Sequence, residues 1–499
     1  MEKRAWPRKD VVAISTGACP ECIFTFVKRQ LSCLSYRVKK MRKPTPIQLY
    51  SGARPDQVAA DLAPLLDFQK KGISLEELQS LVEKCLLPHL LRYDQPQFQS
   101  MFNAFPPQEA KLGARVALDT NQGVTNWQVS PGGAVLEELC CQVLCELFGL
   151  DTEADATFMY SGTYGNQQAL YMALHRHAEY QGFDLAQGGI SGFEDPNRLA
   201  IMVSSDAHFS LKHAVRILGL GEKCLVPLPI DDNRRINIDA LQQITRELNG
   251  SRDVLCVVAT AGTTATGAID PIDSIADICA EIGAWLHLDG AYGYAYKLVP
   301  EWAYKFRGDT RADSIVWDPH KQLGAPIPNS VLFVKQKHEF KRMALHSSYF
   351  NRSEDVEPNP GIKSPPTTRP MSALPLVTML RGQGIEKIIQ GLRSPLIAIR
   401  RLAESLNKQP DVEVLHEPET SILCFRMTPK GMPQHDLNDL QKNLFSQIMS
   451  SGKRSISISQ LDSVTALRLV VVSPQTTYQD LFETITLLRH MADSITSMK

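Results

Sequence analysis

Apolar and polar positions change their period twice along this chain of 499 residues. Residues 1–88 alternate short helical patterns with Pro-containing breaks. The clearest helix there is Ser74-Leu-Glu-Glu-Leu-Gln-Ser-Leu-Val-Glu-Lys, where Ser74 and Glu77 read as a capping box. From 89 to 385, apolar runs of strand length at Leu199–Val203, Leu255–Ala259, Trp285–Leu288, Ser314–Trp317 and Ser330–Val334 are separated by helical stretches. Such alternation predicts an α/β fold with a large, mostly parallel sheet covered by helices on both faces. Beyond Gly384 the pattern turns to a long helix over Ile385–Leu406, strand candidates at Ser421–Phe425, Ser455–Ser459 and Ala466–Val472, and a last helix from Tyr478 to about Met491. The expected organisation is therefore an N-terminal helical segment (1–88), a large α/β domain (89–385) and a small C-terminal α+β domain (386–499). Between the last two, Asn351–Pro370 is rich in Pro, Ser, Thr and charge and predicts an extended, mobile loop placed to act as a lid.

Composition narrows the class of partner. A hydrophobic fraction of 43% with 21% charged residues supplies a large core and marks a globular chain. Lys plus Arg (53) balances Asp plus Glu (54), so charge favours neither nucleic acid nor an anionic membrane, and a small molecule is the expected partner. The basic start Met1-Glu-Lys-Arg is followed by no sustained apolar stretch; neither a secretory signal nor a membrane span is expected, and a cytoplasmic location follows. The 11 cysteines are scattered, several within apolar helical patterns (Cys140, Cys141, Cys145), which suits buried reduced thiols. Cys19-Pro-Glu-Cys22, with Cys33 nearby, lacks a second pair and is read as free thiols, so no metal is expected.

Several polar stretches stand out at or just beyond apolar runs. In Tyr160-Ser-Gly-Thr-Tyr-Gly-Asn166 a small-residue turn leads into a helical pattern, so that Ser161, Gly162 and Thr163 offer backbone N–H groups and hydroxyls to an anion such as a phosphate. His208 follows one strand candidate, and Thr264 lies in the loop Val258–Asp270 after another. Asp289 ends Trp285-Leu-His-Leu-Asp289 and is followed by Gly290 and Ala291, small enough to admit a ring. Lys321 closes the run Ser314-Ile-Val-Trp-Asp318-Pro-His320-Lys321. Singly, each has a plain structural reading: a capped helix, a loop histidine, a strand-end turn, a surface lysine. Together they fall at the C-terminal ends of predicted parallel strands, where open α/β sheets bind ligands. They also match pyridoxal 5'-phosphate part by part, with Lys321 for the aldehyde, Asp289 for the ring nitrogen, His208 for the ring face, Thr264 for the phenolic oxygen and the Ser161–Thr163 turn for the phosphate.

On these residues the chain resembles the group II pyridoxal-phosphate-dependent amino-acid decarboxylases, which include the aromatic-amino-acid, glutamate, histidine and tyrosine decarboxylases. The resemblance runs from about Pro88 to the C-terminus and includes Gln95-Pro-Gln-Phe, Phe105-Pro, Asn126-Trp-Gln-Val-Ser-Pro131 with Leu136-Glu-Glu, and Leu467-Arg-Leu-Val-Val-Val-Ser-Pro. Asp318-Pro-His-Lys321 through Pro328 is most similar to the archaeal-type tyrosine or aspartate decarboxylases and is also similar to the sphingosine-phosphate lyase branch. The resemblance implies the fold type I architecture of pyridoxal-phosphate enzymes, a homodimer with active sites at the subunit interface, and decarboxylation of an L-amino acid to its amine. It further implies Lys321 as the Schiff-base lysine, Asp289 as the pyridinium partner and His208 as the stacking, catalytic histidine. Gly162 and Thr163 fall where the family binds phosphate, Thr264 where it meets the ring oxygen, Asp318 and His320 near phosphate and substrate, and Arg468 where some members hold the substrate carboxylate.

Two departures bear on the reaction. Asn351–Arg369 contains no tyrosine, whereas the aromatic-amino-acid decarboxylases carry one in their mobile loop to protonate the product carbanion; Tyr349 lies only at the loop's root. The phosphate turn also differs from the family's commoner small-Ser-Glu-Ala-Asn form. Rival readings are an aldehyde-lyase or an oxidative decarboxylase-deaminase on the same scaffold, and a non-catalytic paralogue, which the full set of cofactor contacts argues against.

Overall fold

The computed structural model describes residues 48–68, 71–347, 351–352 and 357–497. Cys19, Cys22, Cys33 and Tyr349 lie outside the described residues. Residues Gln48–Lys499 form one compact unit. The helix Leu75–Cys85 starts as its sequence predicts: the Glu77 N–H donates to Ser74 Oγ at 3.2 Å, and the Ser74 N–H donates back to Glu77 Oε2 at 2.9 Å.

The central sheet has seven strands: β1 (Asp155–Met159), β2 (Leu199–Ser204), β3 (Leu225–Leu228), β4 (Asp253–Thr260), β5 (Trp285–Asp289), β6 (Ser314–Trp317) and β7 (Ser330–Val334). Their order is β1-β7-β6-β5-β4-β2-β3. β3, β2, β4, β5 and β6 pair in parallel, while β7 runs antiparallel to both β6 and β1. All strands but β7 thus point the same way, and the sheet is mostly parallel as expected. The short β1 and β3 are additions that the apolar pattern did not announce.

Alternation along the strands feeds two cores. Val257, Ala259, Leu286 and Leu288 face one side with Cys141 and Leu144 of the helix Pro131–Leu147. Cys256, Val258 and Trp285 face the other, with Ala169, Leu170 and Ala173 of the helix Gly162–Tyr180. Each fully buried Leu contributes about 1.5–3 kcal/mol relative to exposure. That burial sets the register in which polar strand ends emerge on a common edge.

The second sheet is antiparallel, ordered β10-β11-β9-β8 from β8 (Val412–Val414), β9 (Ile422–Met427), β10 (Ser457–Leu461) and β11 (Val464–Val470). The helices Ile385–Leu406, Leu437–Ser450 and Tyr478–Ser497 pack on it around a core of their own.

One expectation is corrected. Residues 357–370 were to belong to an extended mobile loop, but they are pinned to the large sheet. Arg369 pairs with the buried Glu137 and donates to Thr157 Oγ1 and the carbonyls of Phe158 and Pro360. Lys363 Nζ meets Glu138 at 2.6 Å and Asp155 at 2.7 Å, and its carbonyl accepts from Gln168 Nε2 at 2.6 Å. Charge that reads as solvated from local sequence is buried because its partners lie on helices and strands far away in the chain.

Candidate active site

Five chain segments leaving the C-terminal edge of the large sheet meet around one cavity of about 290 Å³. After β1, Ser161 is extended (φ −165°) and caps the helix Gly162–Tyr180 without spending its hydroxyl on the cap. The first-turn N–H groups there have no intrahelical acceptor and suit an anion. A terminus of this kind contributes only about 0.3–1 kcal/mol, so the Ser161 and Thr163 hydroxyls beside it matter. Glycine is required at 162: a Cβ would meet Asp318 Oδ2 at 2.9 Å and Ala291 Cβ at 3.0 Å.

After β2 comes His208, whose Nδ1 accepts the Ser210 N–H at 3.2 Å. Burial lowers the His208 imidazole, and Asp289 opposes this in part. Neutral His208 therefore carries its proton on Nε2 and presents a donor. β4 ends at Thr260 and leads to Thr264, whose carbonyl accepts from Arg468. β5 ends at Asp289, where Oδ2 accepts from Asn166 Nδ2 at 2.9 Å and Oδ1 from the Ala291 N–H at 3.2 Å.

After β6, Asp318 gathers the last group. Its Oδ1 accepts from Ser330 Oγ, and its Oδ2 lies 3.2 Å from Lys321 Nζ and 3.7 Å from His320 Nε2. His320 Nδ1 faces the Asn329 carbonyl, which can only accept, so that nitrogen is protonated. Burial lowers this imidazole too, with Asp318 opposing. In its neutral form His320 offers a bare Nε2, the opposite of His208.

All the residues expected to hold the cofactor line this cavity: Ser161, Gly162, Thr163, His208, Thr264, Asp289, Ala291, Asp318, His320 and Lys321. Arg468 does not. Its guanidinium carbon lies 5.7 Å from the centroid of the Phe102 ring, and its Nε donates to Ser457 Oγ at 2.8 Å. Lys321 Nζ lies 5.5 Å from the same ring. Larger cavities of about 730 Å³ and 890 Å³ contain none of the expected residues, so chemistry rather than size selects the site.

Sequence reasoning missed Phe102, Asn103, Thr260, Asn166 and Tyr292 on this wall. Asn166 had a signal, standing one helical turn beyond Gly162. Phe102 had none, because it arrives from a remote irregular segment.

The donor set fits pyridoxal phosphate. A helix start with free hydroxyls, a glycine cradle and a buried carboxylate surround a lysine, and the buried Thr260 hydroxyl has no partner among the described residues. A volume near 290 Å³ lies at the small end of ligand pockets, about 300 Å³ upward.

A family model described as the pyridoxal-dependent decarboxylase conserved domain matches residues 57–428. An L-2,4-diaminobutyrate decarboxylase of Acinetobacter baumannii is 26% identical over 431 residues, covering 84% of each chain. An aromatic-L-amino-acid decarboxylase of Bacillus atrophaeus is 25% identical over 432 residues, covering 85% of this chain and 87% of that protein. Among solved structures, the glutamate decarboxylase domain of a diaminobutyrate-pyruvate transaminase and L-2,4-diaminobutyrate decarboxylase from Vibrio parahaemolyticus superposes with a TM-score of 0.81 at 23% identity, covering 95% of both chains.

Proposed function

The chain belongs to the pyridoxal-dependent decarboxylase family, and we propose that it converts an L-amino acid to its amine with Lys321, Asp289 and His208 as the working groups. It is a carboxy-lyase that uses pyridoxal phosphate, like the curated relatives it matches. The observation that carries the residue roles is the meeting of strand ends from β1, β2, β4, β5 and β6 on one cavity.

When bound, pyridoxal phosphate supplies an electron sink for the bond broken at the carbon bearing the amine. The chain's own groups do the rest. The N–H groups of Gly162 and Thr163, with the Ser161 and Thr163 hydroxyls, would hold the phosphate. Asp289, oriented by the Asn166 amide and the Ala291 N–H, would face the ring nitrogen. His208 would cover the ring with Nε2 as its donor; Thr264 and the Thr260 hydroxyl are the candidates for the ring oxygen. Lys321, whose Nζ lies 3.2 Å from Asp318 Oδ2, is the amine that would anchor the cofactor's aldehyde. His320, with Nε2 bare, can take a proton beside it, and Lys321 or His208 can return one to the product. Arg468 acts at one remove, bracing Phe102 and the Thr264 carbonyl.

We further infer a homodimer with active sites at the subunit interface. It is supported by apolar side chains left in solvent on two helices, Leu112, Val116 and Leu118 on Gln108–Thr120 and Leu139 and Val143 on Pro131–Leu147. No helix among the described residues is long and apolar enough to cross a membrane. Every described cysteine is a buried free thiol, which supports a reducing, cytoplasmic location.

The test is carbon dioxide release from a panel of L-amino acids with added pyridoxal phosphate. Release with a matching amine product is expected for one side-chain class. Ammonia and aldehyde without amine, or no release across the panel, would overturn the reading.

A further inference from the structure

Trp285, His287 and Asp289 alternate with Leu286 and Leu288 along β5, so all three point to the face covered by the helix Gly162–Tyr180. Asn166 stands on that helix, and a continuous chain of hydrogen bonds joins it to them. Its direction is fixed by elementary donor and acceptor rules. The Asp289 carboxylate accepts only, so the nitrogen of the Asn166 amide must face it; Nδ2 donates to Asp289 Oδ2 at 2.9 Å and to Ser210 Oγ at 2.8 Å. The amide oxygen then faces His287 Nε2 at 2.9 Å, which requires the proton on that nitrogen.

Burial drives the His287 imidazole far below its usual range, so the ring is neutral and Nδ1 is bare. Nδ1 accepts from Ser314 Oγ at 2.8 Å, and Ser314 Oγ accepts the Trp285 indole N–H at 2.8 Å. The indole can only donate, so both ends of the chain impose one direction. Asn166, Trp285, His287 and Ser314 are all within 1% of full burial, and water has no access to repair a reversed member. Reversal would set two acceptors or two donors face to face in a low-dielectric interior.

We propose that Asn166 and His287 are positioning residues for Asp289: His287 fixes the Asn166 amide, and Asn166 holds the Asp289 carboxylate in the orientation it presents to the cofactor. The proposal rests on the assignment of Asp289 to the cofactor ring nitrogen and adds residues that act through it. Asn166 borders the cavity, whereas His287 is absent from its wall and acts through Asn166. A packing role for His287 predicts something different, a loss of stability with no particular loss of cofactor affinity.

The experiment is titration of apo-protein with pyridoxal phosphate, followed by absorbance and fluorescence, for the wild type, His287→Leu, His287→Gln, Asn166→Ala and the double variant His287→Leu/Asn166→Ala. Thermal unfolding of each apo-protein is measured in parallel. His287→Leu and Asn166→Ala are each expected to weaken cofactor binding about tenfold, the scale of one hydrogen bond to a charged group. His287→Gln keeps an N–H for Asn166 and is expected to restore affinity to within about threefold of the wild type. The double variant is expected to be no worse than either single one, because both remove the same bond to Asp289. Wild-type affinity in His287→Leu, equal losses in His287→Gln and His287→Leu, or additive losses in the double variant would each overturn the proposal. Should His287→Leu fail to fold, unchanged affinity in Asn166→Ala overturns it alone. A wild-type protein that binds no pyridoxal phosphate would instead sink the assignment of the site, a separate outcome.

Discussion

Asp270 and Asp289 are both buried carboxylates beside the C-terminal edge of the large sheet, 1% and 6% exposed, yet the fold treats them differently. Asp270 closes the loop after β4: its Oδ1 takes the Ile236 N–H and its Oδ2 the Thr260 N–H, both at 2.7 Å, and it borders no part of the cofactor cavity. Asp289 takes one backbone N–H and one side-chain amide and lines the cavity. A carboxylate has about four lone-pair sites. Where backbone donors fill a sealed corner the group is mortar for a loop; where a side chain orients it and its remaining capacity faces a cavity, it can serve a ligand. Burial alone therefore does not mark a functional acid.

The contrast is tested hardest at Lys321, which lines the same cavity as Asp289. Lys321→Ala is expected to abolish both the imine absorption band and turnover while leaving apo-protein melting close to wild type; an unchanged spectrum would remove the lysine from its role. Asp289→Asn comes next. Turnover is expected to fall about a hundredfold or more, the scale of losing one preorganised electrostatic group, with little change in apo-protein stability. Steady-state kinetics beside thermal unfolding reads both.

Asp270→Asn should show the opposite signature, near-normal cofactor binding with a stability cost of about 1–3 kcal/mol from an amide nitrogen forced against a backbone N–H. Its sign with pH is specific. Burial raises the Asp270 carboxyl to about 7 from an ordinary 3.8, so between those values the native state keeps a proton that the unfolded chain has released. Wild-type stability contributed by this group falls as pH rises through that window. The cost of Asp270→Asn is therefore expected to be largest near the acid end and to shrink towards about pH 7, as urea unfolding across pH will show. A cost that grows with pH would mean that Asp270 is ionised throughout.

Much of this contrast was legible in the sequence. The run Trp285-Leu-His-Leu-Asp289 alternates apolar and polar positions, enough to place His287 and Asp289 on one face of one strand. The apolar runs that became β2, β4, β5, β6 and β7 were readable for the same reason: a strand's period is a local property. The direction of β7 was not readable, since side-chain alternation is the same in both directions. Nor were β1, which gains its place by pairing with the distant β7, and β3, a four-residue edge strand interrupted by Pro227. Nor was the contact of Arg468 with Phe102 and the Thr264 carbonyl readable, because a sequence names a strand's residues without naming what covers them.

By itself, then, the sequence determined local matters: which residues form strands and helices, which ends carry Ser161, His208, Thr264, Asp289 and Lys321, and that those ends share an edge. Only the tertiary structure decided which donor meets which acceptor. Arg369 and Lys363 were read as part of a mobile loop and proved to be clamped by Glu137, Glu138 and Asp155. Asn166 came to hold Asp289 from 123 positions away. Hydrogen bonds and ion pairs depend on ångström distances and on direction, and those are set by chain packing that no window of sequence contains.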